Sequence, residues 1–235
     1  MPTLAITGER TVPGMLHENY WFRRHEVAYR MVCDLVGPGQ VLEAGCGEGY
    51  GAELLRGQGV RVVALDYDGH AVRHVRRTYP RLHVVQGNLC ALPFADAAYD
   101  LVVSLQTVEH LWDQPGFVSE CLRVLAPGGV LALSTPNRLT FPPGNIFHTR
   151  ELTAGELWEL VAAHAEPVSC RGIGHGPRLK EWERARGDLV GAQLERPPDA
   201  WPGDLRRLVA GVGVDDFALD DDLDRCLDLF LVARK

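Results

Sequence analysis

The chain has 235 residues, 46% of them hydrophobic, and a formal net charge of −7, which suits a single globular domain with its own core. An acidic balance without a lysine/arginine run argues against nucleic-acid binding, and no apolar run approaches the roughly 20 residues of a membrane span. The six scattered cysteines form no C-x-x-C pair and the N-terminus lacks the order of a secretion signal, so we expect a cytoplasmic protein with reduced thiols.

The N-terminal region, residues 1–36, is predicted to be a turn-rich segment followed by a helix. From Tyr20 onward the apolar positions recur at helical spacing, and the helix should end before Gly37 and Pro38. Two interpretations remain open: the helix packs on a sheet, or the region folds over a cofactor as a lid. The polar candidates for such a lid are Arg10, His17, Tyr20, Arg24 and His25.

Residues 41–51, V-L-E-A-G-C-G-E-G-Y-G, predict a buried strand, a glycine-dense turn and the start of a helix. Glycine is needed where backbone approaches a ligand closely or takes a positive φ, so this turn is typical of a nucleotide-binding site. Tyr50 stands where the dinucleotide fingerprint has its third glycine, and Glu43 precedes the first glycine by two residues. The pattern is therefore G-x-G-x-G and differs from that fingerprint.

Further apolar runs are predicted as strands at residues 61–65, 82–86, 99–105 and 130–134. Because helices separate them, they indicate a parallel sheet covered on both faces. Asp66 ends the second of the five predicted strands, where an acidic side chain is expected to hold ribose hydroxyls; a strand-end cap is the alternative. Residues 43–49, Asp66, Asn88 and residues 106–110 all fall at the carboxyl edge of the sheet, where ligands bind.

We interpret residues 1–235 as one domain whose cofactor-binding core spans residues 38–175. Residues 177–222 interrupt the alternation and are predicted as a helical cap insertion, and residues 225–234 as the final strand. We expect residues 1–20 and the cap to close over the carboxyl edge and form the acceptor cleft, since active-site covers are commonly such additions.

These motifs together resemble the class I S-adenosylmethionine-dependent methyltransferases. The resemblance rests on residues 43–49, Asp66, Asn88-Leu89, Glu109-His110 and L-A-P-G-G at residues 125–129. It implies an α/β, Rossmann-like sheet of seven strands, mostly parallel with an antiparallel last strand. It also implies S-adenosylmethionine as methyl donor and S-adenosylhomocysteine as product. The cofactor-binding residues that we assign on this basis are Glu43, Gly45, Cys46, Gly47, Gly49, Asp66, Tyr67, Asn88, Leu89, Gln106, Arg10 and Tyr20.

A narrower resemblance is to actinobacterial methyltransferases associated with methylated glucose polysaccharides. Its motifs are T-G-E-R at residues 7–10, E-N-Y-W-F-R-R-H at 18–25, E-H-L-W-D at 109–113, T-P-N-R at 135–138 and F-H-T-R-E-L at 147–152. It implies a sugar hydroxyl as acceptor. The stretch at residues 141–147 is shorter than is typical there and has Asn145-Ile146 in place of Asn-Pro, which bears on the choice of acceptor.

Methyl transfer to a sugar hydroxyl needs a group that removes the hydroxyl proton, most often histidine. His110 follows the fourth strand and is our first candidate for that base or for a residue that orients the acceptor; His148 is the second. Glu109 is a candidate to orient the histidine or to contact the cofactor amine. The alternative for His110 is a helix-start residue that bonds nearby backbone. No metal is expected, although His110 and Asp113, with Glu109, offer an alternative metal-assisted route.

Absent motifs weigh against other acceptors and reactions. The chain has no Asp/Asn-Pro-Pro-Tyr motif of nucleic-acid amino methyltransferases and no Pro-Cys pair of cytosine C5 enzymes. We therefore expect a glycan or small-molecule acceptor and no nucleic-acid partner. The alternatives are a C- or N-methyltransferase of a quinone or natural product and, more remotely, an NAD-dependent oxidoreductase, against which Tyr50 and the lack of a Tyr-x-x-x-Lys pair count.

Overall fold

A computed structural model of the protein describes residues 11–235, and its centre is an eight-stranded sheet. The strands, in chain order, are β1 (Gln40–Ala44), β2 (Arg61–Asp66), β3 (His83–Gln86), β4 (Tyr99–Leu105), β5 (Leu125–Pro136), β6 (Glu166–His175), β7 (Phe217–Asp220) and β8 (Asp228–Arg234). Their spatial order is β3-β2-β1-β4-β5-β8-β6-β7. Strands β1 to β5 pair in parallel, and β8 lies antiparallel between β5 and β6. The Rossmann-like, mostly parallel sheet with an antiparallel last strand is therefore confirmed.

The expectation of seven strands is corrected by β7, an edge strand inside the predicted helical cap. Its four residues pair antiparallel with β6, with Phe217 opposite His175 and Leu219 opposite Ile173. Only Phe217 at its start is buried, so the strand is too short to carry a recognisable alternation. The aspartates on either side of it favoured a turn in the sequence.

Helices cover both faces of the sheet. Neighbouring strand residues such as Val41 and Leu42, or Val102 and Val103, enter opposite hydrophobic cores, as the two-residue period of a strand requires. One core takes α1 to α3 and α6 to α8, and the other takes α4 and α5. The helices are α1 (Asn19–Cys33), α2 (Tyr50–Arg56), α3 (Gly69–Thr78), α4 (Gln114–Val124), α5 (Ala154–Ala162), α6 (Pro177–Arg186), α7 (Leu189–Leu194) and α8 (Gly203–Ala210).

Helix α1 is fixed to both the cap and the sheet. The Asn19 amide donates to the carbonyls of Val209 (2.9 Å) and Val212 (2.8 Å) at the end of α8. Its Arg24 guanidinium forms a buried ion pair with Asp228 at the start of β8 (2.5 Å). The cap helices therefore pack beside α1 against the sheet face.

No helix within residues 11–235 combines the length and apolar character that crossing a bilayer requires.

Candidate active site

A cavity of about 840 Å³ opens at the carboxyl edge of the sheet, where β1, β2 and β4 end. The glycine turn after β1 forms one wall, and the segment after β4 forms another. The predicted site residues that line it are Gly45, Cys46, Gly47, Asp66, Tyr67, Asn88, Leu89, Gln106 and His110. None of residues 177–222 lines this cavity, whereas Thr11, Ile146 and Phe147 do. The acceptor cleft that we predicted from the cap would therefore have to lie outside this cavity.

The glycine turn needs glycine for steric reasons at two positions. Gly45 has a φ of +91°, and a Cβ there would lie 2.5 Å from the Thr107 hydroxyl oxygen. Gly49 has a φ of +81°, and a Cβ there would lie 2.7 Å from a Val75 methyl carbon. Gly49 therefore serves the entry into α2 and lies outside the cavity lining.

Asp66 joins the end of β2 to the glycine turn. One carboxylate oxygen accepts from the Gly47 N–H (2.8 Å), and the other accepts from the Asp68 N–H (2.9 Å). The side chain is buried but borders the cavity beside Tyr67, which is exposed. Asp66 thus stabilises the turn and presents a carboxylate to whatever the turn binds.

Glu43 lies beneath the glycine turn and outside the cavity lining. The Tyr29 hydroxyl of α1 donates to its Oε1 (2.5 Å). Its Oε2 is buried and has no hydrogen bond of normal geometry from any described residue. Burial raises the pKa of Glu43 to about 8. Tyr29 itself borders the cavity, a contact that the sequence analysis missed because it depends on how α1 docks on the sheet.

Gln106 follows β4 in a left-handed conformation, with a φ of 52°. That region is uncommon for residues other than glycine and recurs at functional sites. Its backbone N–H donates to the Ser134 carbonyl (2.9 Å), which ties the ends of β4 and β5 together. The bend directs the following segment, including His110, along the cavity wall.

His110 presents a defined tautomer to the cavity. Its Nδ1 lies 3.0 Å from the Phe147 carbonyl oxygen, which can only accept, so Nδ1 carries the hydrogen of the neutral ring. The proton-accepting lone pair is therefore on Nε2. The side chain is 18% exposed, and Nε2 lies 3.8 Å from Glu109 Oε1.

Glu109 is buried behind His110 and does not line the cavity. Burial raises the pKa of its carboxyl to about 8, and Oε2 accepts from the Thr135 hydroxyl (3.1 Å). The 3.8 Å separation is too long for a hydrogen bond to His110, so the Phe147 carbonyl orients that ring rather than Glu109.

His148 packs against His110, with ring centroids 4.9 Å apart, but lies outside the cavity lining. Its Nδ1 donates to Glu151 (2.8 Å), and its Nε2 accepts from the Asn145 amide nitrogen (3.1 Å). Burial lowers the pKa of His148. Because both ring nitrogens are already bonded, His148 is poorly placed to remove a proton from an acceptor.

One group of side chains within residues 11–235 has metal-ligand spacing. Ligand atoms of Glu109, His110 and His148 lie within 4.8 Å of one another. Asp113, predicted as a partner of His110, instead caps α4 by accepting from the Gly116 N–H (2.9 Å). A protonated Glu109 and the occupied nitrogens of His148 make this group a weak ligand set.

The N-terminal region contributes a polar cluster to the cavity. The Thr11 hydroxyl lies 3.3 Å from the Tyr50 hydroxyl and 3.5 Å from His25 Nδ1. Burial lowers the pKa of His25 to about 4, so its ring is neutral at physiological pH. All three side chains line the cavity, which agrees with the lid interpretation for His25.

The other two N-terminal residues assigned to the cofactor have different outcomes. Tyr20 is completely buried, and its hydroxyl bonds His175 Nε2 (2.7 Å) away from the cavity. The prediction that Tyr20 contacts the cofactor does not fit this position, because α1 turns that side chain into the core. Arg10 lies outside the described residues.

The charge distribution of the cavity is uneven. Its acidic residues, Glu48 and Asp66, lie on the side of the glycine turn. No lysine or arginine from residues 11–235 lines it. The side beyond His110 is formed by apolar and neutral residues: Leu111, Trp112, Ile146, Phe147 and Thr149.

Comparisons with known proteins agree with this arrangement. A family model described as a methyltransferase domain matches residues 42–133. A Mycolicibacterium smegmatis protein named a probable S-adenosylmethionine-dependent methyltransferase is 51% identical over 243 residues, 98% of this chain and 95% of the relative. A Mycobacterium tuberculosis protein with the same description is 48% identical over 245 residues, 98% of this chain and 89% of the relative.

Solved structures agree at the level of the fold. An S-adenosylmethionine-dependent methyltransferase from Mesorhizobium loti superimposes with a TM-score of 0.60 at 16% identity, covering 90% of this chain and 98% of that one. One from Archaeoglobus fulgidus gives a TM-score of 0.62 at 17% identity, covering 90% and 94%. With close relatives matched along nearly its whole length, the chain belongs to the S-adenosylmethionine-dependent methyltransferases.

Proposed function

We propose that the protein methylates a hydroxyl oxygen of a neutral sugar within an oligo- or polysaccharide, with His110 as the base. The observation that carries this proposal is the His110 tautomer, which leaves the proton-accepting lone pair on Nε2 of a side chain that lines the cavity. No lysine or arginine is among the described residues that line the same cavity. Because the chain belongs to the methyltransferase family, we no longer consider the alternative of a nicotinamide-dependent oxidoreductase. The narrower sequence resemblance to glycan methyltransferases supports the choice of acceptor.

The residues at the glycine turn fit S-adenosylmethionine. Glu43 lies beneath the turn with a buried Oε2 that has no hydrogen bond of normal geometry from a described residue, and the positively charged amine or sulfonium of a bound cofactor would favour its ionised form. Gly45, Cys46 and Gly47 would hold the methionine portion, Asp66 the ribose, and Asn88 with Leu89 the adenine. When bound, the cofactor supplies an electrophilic methyl group.

The acceptor hydroxyl would lie between His110 Nε2 and that methyl group. His110 Nε2 would take the hydroxyl proton as the hydroxyl oxygen forms its bond to the methyl carbon, and the electrons of the S–C bond that breaks would remain on sulfur. S-adenosylhomocysteine and the methyl ether are the products. Alignment of such an in-line attack lowers the barrier by roughly 7–11 kcal/mol. A general base typically raises the rate by a further factor of about 10²–10⁴.

More distant relatives resemble this chain over part of its length but are named for different acceptors. A Serratia marcescens malonyl-[acyl-carrier protein] O-methyltransferase is 38% identical over 96 residues, and a Renibacterium salmoninarum demethylmenaquinone methyltransferase is 34% identical over 126 residues. By their names these enzymes act on different acceptors, so likeness in the core does not select one. A carboxylate acceptor would need a cationic partner, and no described lining residue supplies it. C- or N-methylation of a quinone or natural product is the remaining alternative.

The state of the cysteines fits a reducing compartment. All six cysteines are free thiols. Disulfides are rare in the cytoplasm, so we place the reaction there.

The test is methyl transfer from labelled S-adenosylmethionine to a panel of partly methylated oligosaccharides, with demethylated quinones and aromatic amines as competitors. We expect label in an alkali-stable sugar methyl ether, in the presence of EDTA. Label in a quinone or amine with none in any sugar would overturn the acceptor assignment. Activity lost in EDTA and restored by magnesium would overturn the metal-free mechanism.

A further inference from the structure

The mouth of the cavity carries two large apolar side chains that the protein leaves in solvent. Trp112 is 91% exposed and Ile146 is 88% exposed, and both line the cavity. Exposed apolar groups that border a pocket mark a binding surface more often than isolated ones do. Trp112 follows His110 by two residues, so this surface adjoins the proposed methyl-transfer point.

The backbone sets the spacing between the base and this surface. Leu111 is extended, with φ −96° and ψ 135°. The Cα atoms on either side of an extended residue lie about 6–7 Å apart. His110 is 18% exposed inside the cavity, whereas Trp112 stands at its mouth. The Cα atoms of His110 and Trp112 are therefore separated by about the length of one sugar unit, and the second side chain is the more exposed.

The segment of the cavity wall that contains Ile146 is bonded to His110 and its neighbour. The Phe147 carbonyl next to Ile146 accepts from His110 Nδ1 (3.0 Å). The Thr149 N–H donates to the Glu109 carbonyl (2.8 Å), which binds the same segment to the 3-10 turn Val108–His110 that follows β4. Ile146 is thus fixed relative to the base rather than carried on an unattached loop.

We propose that Trp112 and Ile146 form a second acceptor subsite, which holds a neutral sugar unit adjoining the unit that His110 deprotonates. This inference rests on the proposed function, because it takes the acceptor to be a glycan. It adds that the enzyme recognises at least two linked sugar units and that Trp112 determines this specificity.

The chemistry of the surface fits a sugar ring. The face of an indole ring carries partial negative charge, which attracts the C–H groups on the apolar face of a pyranose. The surface is open, so the sugar hydroxyls keep their water. An acyl chain of similar length would need an enclosed apolar channel, whereas Trp112 is almost fully exposed. No described lysine or arginine lines the cavity to hold an anionic unit.

The experiment compares Trp112→Ala and Trp112→Phe with Trp158→Ala as the matched control. Trp158 lies on α5, is 40% exposed and does not line the cavity. KM and kcat are measured for the methyl glycoside of one glucose unit and for α-linked oligomers of two and four units. S-adenosylhomocysteine affinity is measured alongside as the test of folding.

In the wild type we expect a lower KM for two units than for one. Trp112→Ala should raise KM for the oligomers about 10- to 100-fold, the scale for losing one aromatic contact, and leave the single unit unchanged. Trp112→Phe should retain most of the affinity, and Trp158→Ala should match the wild type.

Three outcomes would overturn the second subsite. One is a wild-type KM that does not depend on acceptor length, and another is an equal rise in KM for one and several units in Trp112→Ala. The third is a larger rise in KM in Trp112→Ala for a glycoside bearing an acyl chain than for a glycoside bearing a second sugar. If the wild type methylates no sugar of any length but does methylate a quinone or amine, the proposed function itself fails.

Discussion

At the scale of single residues, the buried carboxyl groups of Glu43 and Glu109 differ from that of Asp66, which borders the cavity. Glu43 and Glu109 are buried, and burial raises the pKa of each to about 8. Asp66 accepts hydrogen bonds from two backbone N–H groups at the cavity edge. The site therefore combines acidic side chains that line the cavity with neutral acids beneath the turn and behind His110.

The first prediction concerns stability and pH. A carboxyl whose pKa is raised in the fold binds its proton more tightly there than in the unfolded chain. Its stabilisation is therefore fully present below about pH 4.5 and is lost as pH rises through about 8. Glu109→Gln should remove the part of the pH dependence of unfolding that comes from this carboxyl. The free energy of unfolding of the variant should therefore rise relative to that of the wild type between pH 6 and pH 9. Urea unfolding at both values measures this, and a parallel loss of stability in both proteins would contradict a raised pKa.

The second prediction concerns Asp66 and the cofactor. Asp66→Ala should weaken S-adenosylhomocysteine binding by about 1.5–3 kcal/mol, the scale of hydrogen bonds to a charged group. Calorimetry measures it, with Asp215→Ala as control because that side chain is 97% exposed. An unchanged dissociation constant in Asp66→Ala would remove this residue from the ribose role.

At the scale of elements, the glycine turn illustrates how backbone and packing act separately. Gly45 and Gly128 both have positive φ, but a Cβ at Gly45 would collide with Thr107, whereas at Gly128 it would meet nothing within 4 Å. Positive φ alone costs a non-glycine residue roughly 1–3 kcal/mol. The collision at Gly45 falls at the cavity wall, so its effect should include ligand binding.

The third prediction follows from that comparison. Gly45→Ala should lower stability more than Gly128→Ala and should also weaken S-adenosylhomocysteine binding, whereas Gly128→Ala should bind as the wild type does. Thermal unfolding with and without S-adenosylhomocysteine gives both quantities. Equal binding by the two variants would show that the turn tolerates a side chain and does not cradle the ligand closely.

At the scale of the whole molecule, the sequence predicted those features that depend on local patterns of residues. Runs of apolar residues predicted the parallel strands, and Gly45, Asp66 and His110 were placed at the carboxyl edge because each follows a strand. Contacts between distant segments could not be predicted in this way. The Tyr29–Glu43 bond depends on the docking of α1, and the packing of the cap beside α1 depends on Asn19 meeting α8. The cavity wall beyond His110 depends on the hydrogen bond between His110 and the Phe147 carbonyl, which are 37 residues apart in the chain.

The central claim is that His110 removes the acceptor proton, and its most direct test is kcat for His110→Ala. We expect a fall of 10²–10⁴-fold with S-adenosylhomocysteine affinity nearly intact, because this histidine contributes to proton transfer rather than to holding the cofactor. His148→Ala is the matched control, since that ring contacts His110 but has both nitrogens bonded within the protein. It should lose less activity. A kcat for His110→Ala near that of the wild type, or a larger loss in His148→Ala, would contradict the account.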